Sequence, residues 1–100
     1  MLLQELIGYI ERRPLMYFDS KSIQSLYDFI GGYIIAKDSL KSIDIYDENF
    51  TRNFYHYLSK SLKMDGSNWK DILLQKYIDD KSAFENFFLH YRNFLASESS

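Results

Sequence analysis

Apolar residues return at three- and four-residue intervals through nearly the whole chain, which is the spacing of one face of an α-helix. Leu2, Leu3, Leu6, Ile7 and Ile10 set the first stripe. It stops where Pro14 pushes Arg13 out of the helical region, predicting a helix that ends near Arg12. Ile23, Leu26, Ile30, Tyr33 and Ile34 form a second stripe, capped by Asp19 or Ser20 and running to about Lys37. Gly31 and Gly32 fall inside it, where each costs about 1 kcal/mol relative to Ala, and the pair predicts close helix packing or a kink. Phe50, Phe54, Tyr57, Leu58 and Leu62 make a third stripe, with Asp47 as its N-cap and Asp65-Gly66 as its stop. The segment before it, with Ile43 and Ile45 alternating about Asp44, reads as a loop. Ser67 or Asn68 caps a short fourth helix carrying Trp69, Ile72, Leu73 and Tyr77. Phe84, Phe87, Phe88, Tyr91, Phe94 and Leu95 make the last stripe, started by Asp79, Asp80 or the Ser82/Glu85 capping box. The expectation is an all-α, compact single-domain bundle of about five helices over residues 1–96, with residues 97–100 a frayed end.

Composition narrows the function classes. The absence of cysteine excludes a disulfide scaffold, a thiolate metal site and a cysteine nucleophile. Twelve Lys and Arg against fourteen Asp and Glu leave a net charge of −2, so no overall basic field draws the chain to nucleic acid. The opening MLLQELIGYIERR carries Glu5, places its arginines late and lacks a small-residue cleavage site, unlike a secretory signal. The longest uncharged apolar run, Phe29 to Ala36, falls short of the ~18 to 20 residues needed to span a bilayer. A cytoplasmic location and no membrane partner are expected.

Residues capable of chemistry do not converge. His56 and His90 are the two histidines, and neither has a second histidine or a carboxylate one helical turn away on the same face, so both read as surface or boundary residues and no metal is expected. No serine stands in a nucleophile elbow, and four scattered glycines cannot form a phosphate-cradling loop. The paired carboxylates Asp47-Glu48 and Asp79-Asp80 are explained by the positive ends of helix dipoles. The reading is therefore a protein without catalysis or cofactor.

Eighteen aromatics, nine of them Tyr, are many for 100 residues. Most of the Phe set is core by position, but Tyr46, Tyr55 and Tyr77 lie off the clearest core stripes and are candidate surface contacts. From Asp38 to Phe50 the chain carries Asp38, Asp44, Asp47 and Glu48 against the lone Lys41. An acidic, tyrosine-bearing segment suits a basic protein partner, since complementary charge speeds encounter and disfavours wrong partners. The expected contact set is Asp44, Tyr46, Asp47 and Glu48, with Asp38 peripheral. The acid-free stretch from Arg52 to Lys63 supports a second reading, a regulatory or nucleic-acid-binding helical domain using Arg52, Tyr55, Lys60 and Lys63, although its four cations read as spread around the helix. Exposed tyrosines equally suit a homodimer face.

The segment IERRPLMYFDSKSIQSLYDFIGGYIIA, from Ile10 to Ala36, resembles a group of small bacterial proteins that open with an I-x-x-R-P-x-M-Y box and continue into an S-I/L-x-x-L-x-x-F-I/L-x-G-Y helix. Their later Trp and A-F-x-x-F-F helix are matched by Trp69 and by Ala83, Phe84, Phe87 and Phe88. Such proteins resemble the immunity proteins encoded beside polymorphic or contact-dependent growth-inhibition toxins. The resemblance implies a partner, the C-terminal domain of a cognate toxin, whose active site or access to target is blocked. The box often carries Gly where this chain has Asp19, which bears on the turn that follows it. Physically the box reads as a helix stop, with Met16 and Tyr17 tucked into the core and Arg12 or Arg13 satisfying carbonyls at the helix end. The R-P-x-M-Y string also resembles the start of the ATPase subunit of type II topoisomerases, but that likeness ends with the box.

Overall fold

Five helices account for the chain in a computed structural model that describes residues 1–98: α1 (Leu3–Arg12), α2 (Ile23–Ser39), α3 (Ile45–Leu62), α4 (Trp69–Lys76) and α5 (Asp80–Glu98). The all-α bundle expected from the periodicity is the fold. Ser97 and Glu98, the first two residues of the end expected to fray, belong to α5, with the Ser97 hydroxyl donating to the Phe94 carbonyl at 2.7 Å. Ser99 and Ser100 lie outside the described residues.

The helix starts are set by side chains that satisfy the orphan amides of the first turn. Ser22, and not Asp19 or Ser20, caps α2 by accepting the Ser25 amide at 3.2 Å. Asp80 adds a second acceptor from elsewhere in the chain, taking the Ile23 amide at 2.6 Å. Asp44, two residues ahead of Tyr46, caps α3 by accepting the Tyr46 and Asp47 amides at 3.0 Å each. Asp47 returns the bond by accepting the Asp44 amide at 3.1 Å, so the expected N-cap is the third residue of the helix instead. Asn68 caps α4 and Asp79 accepts the Ser82 amide at the start of α5. Glu85 pairs with Lys21, not with the helix start.

The R-P-x-M-Y box does stop α1. Pro14–Met16 form a 3-10 turn, and the Pro14 carbonyl accepts the amides of Tyr17 and Phe18. Arg12 Nε donates to the Gly8 carbonyl at 3.4 Å, as a helix-end arginine should. Met16 and Tyr17 are not tucked in: Met16 is 69% exposed and Tyr17 38%. Phe18 takes the inward place, its ring edge-on to Phe84 at 6.1 Å. Among the described residues only Lys41 and Lys63 have positive φ, so Asp19 fits where the box often carries Gly.

The core is an aromatic cluster built between α3, α4 and α5. Phe54 is fully buried, its ring within 6.2 Å of the ring centroids of Phe50, Trp69, Phe87, Tyr91 and Phe94. Most of these pairs are edge-on or tilted, the geometry in which aromatic quadrupoles attract and each pair contributes about 0.5–1.5 kcal/mol beyond burial. Leu3, Leu6, Ile7 and Ile10 of α1 and Ile23, Leu26 and Ile30 of α2 complete the core. α5 packs against α2, α3 and α4, while α3 also receives α1. Arg92 of α5 holds Glu11 of α1 with one nitrogen 2.6 and 2.7 Å from its two oxygens.

Candidate functional site

Lys37 of α2, Asp47 of α3 and Asp44, the residue that caps α3, form an ion triad where these helices meet the connecting turn. Lys37 Nζ lies 2.7 Å from Asp47 Oδ2 and 2.8 Å from Asp44 Oδ2. Asp47 is fully buried and Lys37 is partly buried. The bonds to Asp44 and then Asp47 raise the Lys37 pKa above the ordinary lysine value, and Lys37 holds the Asp44 carboxyl below the usual range. Two carboxylates against one lysine leave the triad with one net negative charge.

The five acidic-surface residues are therefore divided by the fold. Asp47 is no surface contact: its Oδ2 is bonded within the triad, its Oδ1 has no hydrogen-bond partner among the described residues, and no part of it is exposed. Asp44 is half-buried and occupied as a cap and as a ligand of Lys37. Asp38 and Glu48 are exposed, and among the described residues neither is held in an ion pair. Tyr46 is 38% exposed but faces away from them, beside Gln4, Asn49 and Leu95. Of the other tyrosines expected at the surface, Tyr55 is half-buried and its hydroxyl donates to the Gly66 carbonyl at 2.7 Å. Tyr77 is half-buried with its hydroxyl 2.6 Å from His90 Nε2. His90 is buried, not peripheral, and burial followed by the nearby Lys76 charge lowers its pKa.

Asp38 and Glu48 stand at one end of a groove between α2 and α3. Both helices pack on α5, and between them lies a cavity of about 670 Å³ lined by Tyr27, Ile30, Gly31, Gly32, Phe50, Thr51, Tyr55 and Trp69 among others. Ile34, Ile35 and Thr51 carry it into a second cavity of about 270 Å³ that reaches Asp38, Asp47, Glu48 and Arg52. Gly31 and Gly32 lie within α2, which runs unbroken from Ile23 to Ser39, and do not pack closely against a neighbouring helix. A Cβ at either position would meet no atom within 4 Å. They form an open part of the channel wall, and Ile35 beside them is 71% exposed. The glycine pair was the sequence signal for this groove, since two glycines in mid-helix are an unforced cost unless the space above them is used.

The basic set behaves differently from expectation. Arg52, His56 and Lys60 are all exposed and follow one another at four-residue spacing, a stripe along one side of α3 and not a spread around it. Lys63 ends the helix in the left-handed conformation, φ 55°. Arg52 and Tyr55 also line the groove. Among the described residues no three His, Asp or Glu side chains are placed to hold a metal ion, and no helix is long and apolar enough to cross a membrane. In chemical terms the groove offers an apolar floor, the Thr51 hydroxyl and carboxylates at its rim, a lining suited to recognising another molecule's surface. No protein family, no curated protein and no solved structure matches the chain.

Proposed function

We propose that this protein is an immunity-type inhibitor that binds the C-terminal domain of a cognate bacterial toxin and blocks its active site or its access to target. The observation that carries the reading is the open α2/α3 groove, apolar within and bounded by the carboxylates of Asp38 and Glu48, which hold no ion pair among the described residues. An acidic rim of this kind suits a basic surface, such as one that a nuclease toxin uses to hold phosphates. The R-P-x-M-Y box and the A-F-x-x-F-F helix supply the likeness to immunity proteins. The accessible part of the contact set reduces to Asp38, Glu48 and, on the adjoining face, Tyr46, with Asp44 and Asp47 acting through the fold.

Co-expression tests the proposal. Cells carrying the toxin-like domain encoded beside this chain should recover growth when the chain is supplied, and Asp38→Lys with Glu48→Lys should weaken that rescue. Failure of the unaltered protein to rescue sinks the reading. The Arg52, His56 and Lys60 stripe favours a second reading, a nucleic-acid-binding domain. That one requires oligonucleotide affinity that falls steeply with salt.

A further inference from the structure

We infer that the α2/α3 groove receives a single amphipathic helix of the partner, laid over Gly31 and Gly32 with its cationic edge along α2. The inference rests on the inhibitor reading for the identity of the partner, and on the groove itself for the shape and charge of what enters.

Length and wall chemistry select a helix. From Tyr27 to Asp38 the groove follows twelve residues of α2, eleven rises of ~1.5 Å or about 16 Å, which matches three turns of a docked helix. Both walls are helices whose backbone groups are bonded internally, so they offer no row of free amides and carbonyls for strand addition, and side-chain anchors must supply the affinity. Ile30, Ile34, Ile35, Phe50 and Trp69 provide apolar ground for such anchors. The missing Cβ atoms of Gly31 and Gly32 let a large anchor sit close to the α2 backbone, since no described residue packs within 4 Å of those positions.

Charge selects which helix. Asp28 and Asp38 mark the two ends of the α2 rim, and Glu48 faces Asp38 from α3. The triad adds one net negative charge behind the wall at that same end, where Asp47 is among the residues around the cavity. Arg52 is the one cation lining the groove among the described residues. An occupant with Lys or Arg along the edge facing α2 is attracted at both ends, and one with acids there is repelled.

The test uses a synthetic helical peptide of about 18 residues, with leucines at i, i+3, i+4 and i+7 spacing and lysines on one flank, beside an otherwise identical peptide with glutamates for lysines. Amide shifts on titration should map the lysine peptide to Gly31, Gly32, Ile35 and Thr51, with affinity falling as salt is added. Gly31→Leu and Gly32→Leu should each weaken binding by about tenfold or more while far-UV dichroism and melting stay at or above the parent level. Ile35→Lys, at an exposed position, should do the same if a glycine variant folds poorly. No binding, equal binding of the glutamate peptide, or a map elsewhere on the surface overturns the inference. Toxin rescue that survives Gly31→Leu also overturns it while leaving the inhibitor reading intact. Peptide binding without any rescue by the parent protein supports the groove and sinks the inhibitor reading.

Discussion

Lys37 on α2 holds Asp47 on α3 with 2.7 Å between Nζ and Oδ2, and the carboxylate it holds is wholly removed from solvent. A buried charge is tolerable only while its partner is present, and removing one member of such a pair costs about 3–5 kcal/mol. Lys37→Met is therefore expected to lower stability by that amount in urea unfolding. Asp44→Ala, which removes a cap and the partly exposed partner, should cost about 1–2 kcal/mol. A Lys37→Met protein as stable as the parent would show that the triad contributes nothing.

The same groups set the pH response. The Asp44 carboxyl is held below its ordinary value, so its contribution is complete above about pH 4 and is lost as the pH falls through its folded value. Lys37 is raised, so its contribution is complete below about pH 10 and lost as the pH rises through its folded value. His90 falls inside that plateau with the opposite sense to a paired histidine. Burial lowers its pKa, so below about pH 6.5 the unfolded chain binds the extra proton first and stability declines. Urea midpoints should drop between about pH 7.5 and 5, and His90→Gln should flatten that interval. An unchanged slope in the variant would remove His90 from the account.

Gly31→Ala and Gly32→Ala should each stabilise the fold by up to about 1 kcal/mol, because helix propensity improves and no atom stands within 4 Å of the added methyl. Thermal melts read this directly. A destabilised variant would mean that the groove wall is closed in solution.

Phe54 is where five other rings converge, and Phe54→Ala should cost about 3–5 kcal/mol. Near-UV dichroism should lose its fine structure along with the stability, since the remaining rings lose their common neighbour.

Leu15→Ser and Met16→Ser carry the contrary expectation. Both side chains are about two-thirds exposed, so each change should shift stability by no more than about 0.5 kcal/mol. A large loss at Met16 would restore the box to the core.

The helices were legible because a stripe at three- and four-residue spacing reports burial directly, and the stripes from Leu3 to Phe94 are the core. Their first residues were less legible, because several capping residues stand side by side and tertiary partners choose among them. Ser22 is favoured over Asp19 where Asp80 meets the Ile23 amide, and Asp44 over Asp47 where Lys37 draws Asp47 inward. Asp47 did leave a trace: it precedes Phe50, Phe54 and Leu58 at intervals of three, four and four, the register of the buried face. Counting it with the acids of the loop obscured that register. The groove was visible only as the oddity of Gly31-Gly32, since what lies above a glycine depends on a helix that does not pack there.

The Asp80 carboxylate that takes the Ile23 amide stands 57 residues further along the chain. As the protein is synthesised, α2 emerges long before this acceptor exists, and so do Phe50, Phe54 and Trp69, whose ring partners Phe87 and Tyr91 are also on α5. A ribosome-held chain stopped before α5 has an incompletely capped second helix and an open aromatic face. The packing of α2 and α3 seen in the folded protein is thus complete only once α5 has been added behind them.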